Sequence, residues 1–182
     1  MVDVTLISSL LYPVAALTLT IAAAYYVLNL ARNERRQDEE LKVRKAELLW
    51  SIYMRWDEPD FLRSWNEVSS WEWKDYDDYM RKYGPGSDPE LEIKRGMIGI
   101  YFESVGVLVQ RGLIDVSEID DMMSGYVMGY WRKFEPVMVE FRKRHNRPEA
   151  AEHIEYLYNE VRRVYEEQHP DVLKDARPAA EP

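Results

Sequence analysis

Apolar and polar positions are distributed along this chain in two unlike ways. From Val4 to Ala31 no charged side chain occurs, and Leu, Ile, Val, Ala and Tyr predominate. From Arg32 to Glu40 the pattern reverses, with no large apolar residue and a charge at most positions. Beyond Leu41 apolar residues return at spacings of three and four, the period of a helix with one buried face. No run alternates with period two and no fixed repeat is visible, so the expected fold class is all-α.

The uniform apolar run exceeds the roughly 20 residues that carry a helix through a bilayer's hydrocarbon. Tyr12 near one end and Tyr25 and Tyr26 near the other suit the two interfaces. A cleaved signal peptide would begin with a basic segment and carry a shorter apolar stretch of about 7 to 15 residues; here the charge preceding the run is Asp3. The run is therefore read as a signal anchor, a transmembrane helix crossing the cell membrane once. Arg32, Arg35, Arg36, Lys42, Arg44 and Lys45 follow it closely, which predicts an N-terminus outside and a cytoplasmic C-terminal domain. The expected partners are membrane lipids and, through the small-residue stripe Ala16, Thr20 and Ala24, a second copy or another membrane protein.

From Arg32 the chain lacks Gly and Pro for many residues, and opposite charges recur at i,i+4, which favours an uninterrupted solvated helix. Leu48, Leu49, Ile52, Tyr53 and Trp56 then rebuild an apolar face. The predicted organisation is a transmembrane anchor over 1–31, a helical stalk docking on the bundle over 32–56, a cytosolic antiparallel helical bundle over 57–168, and a disordered tail over 169–182.

Within the bundle, Asp57 is the expected N-cap of a short helix with Pro59 in its first turn and Phe61, Leu62, Trp65 and Val68 on its buried face. A further short helix is predicted around Asp75 to Tyr83. Gly84, Pro85 and Gly86 form a turn, after which Asp88 caps a helix opening at Pro89. Apolar residues cover most of that helix, leaving Glu92, Gly99, Glu103, Gly106 and Gln110 as a narrow polar stripe. Gly112 followed by Leu113 predicts a Schellman stop. Asp115 and Glu118 fit a capping box flanked by the staple Ile114 and Ile119. The next helix buries residues from Ile119 through Tyr126 and Trp131 to Phe141 and should kink at Pro136. Asn146 and Glu149 are the expected caps of a last helix bearing Ile154, Leu157, Val161 and Val164.

The segment "YFESVGVLVQRGLIDVSEID", with Trp131 after it and the Trp-rich "SWNEVSSW" before it, resembles the prokaryotic membrane-anchored family catalogued as domain of unknown function 4760. The resemblance covers most of the chain, from the membrane helix to about Tyr165. It implies an anchored all-α domain with no assigned chemistry, so no catalytic residue is carried over.

Charge and composition narrow the function further. Lys+Arg 24 against Asp+Glu 33 gives a formal net charge of -9, the wrong sign for a nucleic-acid binder. No cysteine is present, which removes disulfides and thiolate metal sites. His145, His153 and His169 form no pair at metal-ligand spacing, so no metal and no cofactor is expected. Glu103, on the most apolar helix and flanked by Gly99 and Gly106, is the one weak catalytic candidate, since a desolvated carboxylate can move protons; the plainer expectation places it on a solvated stripe. Trp71 and Trp73 lie outside a firm helix and are candidates for partner or membrane-surface contact. These readings converge on a membrane-anchored helical interaction or accessory module. The rivals are an enzyme or ligand sensor using a pocket near Glu103, and a subunit of a larger membrane complex.

Overall fold

A computed structural model describes the backbone of residues 4–170 and the side chains of residues 17–170. Among the described residues the protein is all-helical: α1 (Val4–Trp56), α2 (Pro59–Ser70), α3 (Tyr76–Tyr83), α4 (Pro89–Gln110), α5 (Val116–His145) and α6 (Glu152–Gln168). The chain divides into two compact units, Met1–Ala46 and Glu47–Pro182. The tail beyond residue 170 lies outside the described residues.

In the first unit, Leu17, Leu19, Ile21, Tyr25, Tyr26, Val27, Leu28 and Leu30 are all exposed. Among the described residues no helix is long and apolar enough to cross a membrane. The side chains of the predicted span up to residue 16, Ala16 of the small stripe included, lie outside them.

The second unit opens with the last turns of α1, where Ile52 and Trp56 are buried. Trp56 packs against Phe61 and Trp65 of α2, Tyr101 and Phe102 of α4 and Tyr126 of α5, with ring centroids 4.5 to 6.0 Å apart. Such tilted aromatic pairs stabilise beyond their buried area. Tyr101 donates its hydroxyl to the Ile52 carbonyl at 3.2 Å, which satisfies a phenol whose pKa is raised by burial.

The stop after α4 and the start of α5 follow the sequence pattern. Gly112 takes φ +66, its N–H donates to the Val109 carbonyl at 2.9 Å and that of Leu113 to the Leu108 carbonyl at 3.0 Å, the two bonds of a Schellman motif. Both halves of the Asp115–Glu118 capping box are made, and Ile114 and Ile119 are buried. Beyond the turn, the Tyr130 ring of α5 lies 4.9 Å from the Phe102 ring of α4, centroid to centroid.

Four local expectations are corrected. The cap of α2 is Glu58 and not Asp57, without a side-chain bond. Backbone dihedrals leave the helical region at Met123 and not at Pro136. Asn146, at φ 51, ends α5 and does not begin α6, whose N-cap is Ala151 with no side-chain bond of its own. Tyr126, expected in the core, is 43% exposed.

Candidate functional site

Within the expected polar stripe of α4, Glu103 and Gly106 pack against α6, while Gln110 stays exposed. Gly106 is buried, and a Cβ there would collide with the His153 carbonyl of α6, so glycine lets the two backbones approach. One turn earlier Glu103 is half-buried, and its Oε2 accepts from the Ile154 N–H at 3.1 Å. Ile154 lies in the first turn of α6, where backbone donors lack intrahelical acceptors and negative charge is favoured. Glu103 therefore supplies from α4 the cap that Ala151 cannot provide. Arg142 of α5 closes the same corner, pairing with Glu155 at 2.6 Å and donating from Nε to the Ala150 carbonyl at 2.8 Å.

Next to this corner lies a cavity of about 310 Å³. Arg95, Gly96, Gly99 and Glu103 of α4 form one side, aromatic Tyr130, Trp131 and Phe134 of α5 another, and Tyr79 of α3 reaches its rim. Gly99 keeps its side open, since even a Cβ would come within 3.4 Å of the Tyr130 hydroxyl. Burial raises the pKa of the Tyr130 phenol. Burial likewise pushes Tyr79 up to about 12, with the nearby Arg95 guanidinium acting in the opposite sense. Both phenols are thus neutral donors at physiological pH. Glu103 and a pocket beside it, paired in the sequence reading, are adjacent in the structure. No sequence signal singles out Arg95 or Tyr79, the first lying in a helix start rich in charge and the second in a short helix of mixed aromatic and charged residues.

Trp71 and Trp73, with Glu72 and Lys133, border a second depression. Trp71 is 6% exposed and stacks on Tyr83, with ring centroids 4.2 Å apart and planes 5° from parallel. Trp73 is half-buried against Phe134, with the Lys133 ammonium 5.2 Å from its ring centre. The exposed tryptophan is Trp50, 62% exposed and against Tyr53. The histidines are dispersed: His145 meets the Tyr76 hydroxyl at 3.2 Å, His153 packs near α4, and His169 lies over Tyr165. Among the described residues no group of three His, Asp or Glu side chains is placed to hold a metal ion.

The second unit thus defines a class, a small helical domain with an aromatic cavity lined by residues of α3, α4, α5 and α6. The chain belongs to the family Domain of unknown function (DUF4760), whose model matches residues 13–161, from within the apolar part of α1 into α6. No curated protein and no solved structure matches it.

Proposed function

We propose that the protein is a single-pass membrane-anchored accessory module, its N-terminus outside and its helical bundle presented to the cytoplasm. The observation that carries this reading is the make-up of α1. Its exposed surface is apolar over Leu17–Leu30, the sequence is free of charge from Val4 to Ala31, and the same helix then bears a cationic cluster. Exposed apolar side chains on an isolated helix are costly in water and favourable in lipid, each CH₂ contributing about 0.8 kcal/mol. The asymmetry of the cations supports the orientation. A bundle on such an anchor works at the membrane surface, on membrane lipids, on another membrane protein or on a second copy.

Extraction tests the reading. Membranes washed with high salt and alkaline carbonate should retain the full chain, and detergent should release it. Complete release by carbonate would remove the spanning helix and the reading with it.

A further inference from the structure

Two donors on residues that line the cavity have no acceptor, although the Arg95 guanidinium lies beside the Tyr79 oxygen. The Tyr79 hydroxyl and the Arg95 Nε–H are both shut off from solvent and neither has a hydrogen-bond partner, yet both residues line the same space. Tyr79 is only 2% exposed, and buried donors are ordinarily satisfied. The ion-pair partner of Arg95 among the described residues is Glu92 at 3.9 Å, beyond hydrogen-bond reach. A guanidinium and a phenol side by side in the wall of one space, each with an unpaired proton, match an oxyanion, and a planar carboxylate suits the guanidinium fork.

The rest of the cavity restricts what the carboxylate can be attached to. Tyr130, Trp131 and Phe134 present aromatic carbon, while Gly96 and Gly99 withhold side chains from the opposite side; a Cβ at Gly96 would meet nothing within 4 Å. Glu103 stands eight residues beyond Arg95, about 12 Å along the helix axis at 1.5 Å per residue. Its charge would repel a second carboxylate at that end. The volume of about 310 Å³ falls at the small end of the roughly 300 to 1,000 Å³ typical of ligand sites.

We propose that this cavity binds an apolar monocarboxylate, an aromatic or medium-chain aliphatic acid, with its acid group on Arg95 and Tyr79 and its apolar body between the aromatic wall of α5 and the glycine side of α4. This goes beyond the anchored-module reading and stands without it.

The test titrates the full-length protein in mild detergent with indole-3-acetate, octanoate, 1-octanol and octanedioate, following the indole N–H resonance of Trp131 in the cavity wall. A saturable shift is expected with at least one of the two monocarboxylates. Indole-3-acetate alone identifies a soluble aromatic acid as the source, octanoate alone a lipid-derived acid, and both together the shared class. 1-Octanol and octanedioate should bind at least about tenfold more weakly, because one lacks the charge and the other meets Glu103. Gly96→Leu should abolish the shift while keeping the helix, leucine being the better helix former. Arg95→Gln should weaken binding at least about tenfold, and Glu103→Gln should admit octanedioate. Absence of saturation with both monocarboxylates would overturn the proposal, as would 1-octanol binding as tightly as octanoate or binding indifferent to Gly96→Leu. The comparison of octanoate with 1-octanol uses the unaltered protein and decides the matter even if a variant fails to fold.

Discussion

Asp78 and Asp120 are both 6% exposed, yet their pKa values are shifted in opposite directions because only Asp78 has partners that outweigh burial. The Asp78 carboxylate is held below its ordinary pKa of 3.8, first by its bond to Lys82, then by the Lys74 backbone N–H, with Lys82 Nζ 2.9 Å away and Arg81 also paired to it. Its folded pKa is depressed, so its contribution is present above the unfolded value and lost as pH falls through the folded one. Asp78→Asn should therefore lower Tm at pH 7 and approach the wild-type value in acid below the carboxylate range. Burial raises Asp120, and one of its oxygens has no partner, so its charged form weakens the fold above that raised pKa and the penalty lifts on acidification. Asp120→Asn should raise Tm at neutral pH, a gain that vanishes in acid; thermal unfolding across pH checks both. The tryptophans separate similarly: Trp71→Ala should cost about 3–5 kcal/mol as a core truncation, and Trp50→Ala within about 0.5 kcal/mol as a surface change, both measurable by denaturant unfolding.

At the scale of the element, α4 and α6 depend on each other. Gly106→Ala sets a methyl against the His153 carbonyl, a backbone atom that cannot rotate away, and should cost about 1–3 kcal/mol by overpacking. Glu103→Ala should cost about 1 kcal/mol through loss of the cap on α6, whereas Glu103→Gln keeps an oxygen acceptor and should lose only about 0.3–1 kcal/mol of charge–dipole attraction. The sequence displayed these residues without disclosing their role. Glu103 and the flanking glycines break an apolar surface equally well when they face water or when a second backbone lies against them, and the periodicity of α4 alone does not choose. The four-residue spacing of Gly99 and Glu103, followed by Gly106, is the signal that could have suggested a close helix crossing. Caps placed by side chains acting locally were legible, as at Asp88 and Asp115. The start of α6 was not, because its cap comes from 51 residues earlier in the chain.

For the molecule as a whole, the all-helical class, the order of helices and the Schellman turn could be read from apolar period and punctuation. Tertiary partners could not: the cavity needs Tyr79 beside Arg95, and no spacing rule joins a residue of α3 to one of α4. Replacing Asp38 with proline removes a bond within α1 and should cost about 3 kcal/mol of local helix stability. A fragment from Glu40 onward should nevertheless unfold cooperatively with strong helical circular dichroism, since the buried residues of the second unit lie beyond that point. The claim that the bundle is membrane-anchored and cytoplasmic is tested most directly by cysteine accessibility, in a chain that has no cysteine of its own. Val2→Cys should react with a membrane-impermeant thiol reagent on intact cells and Ser87→Cys should react only after the cells are opened; labelling of Ser87→Cys with protection of Val2→Cys, or labelling of both on intact cells, would contradict it.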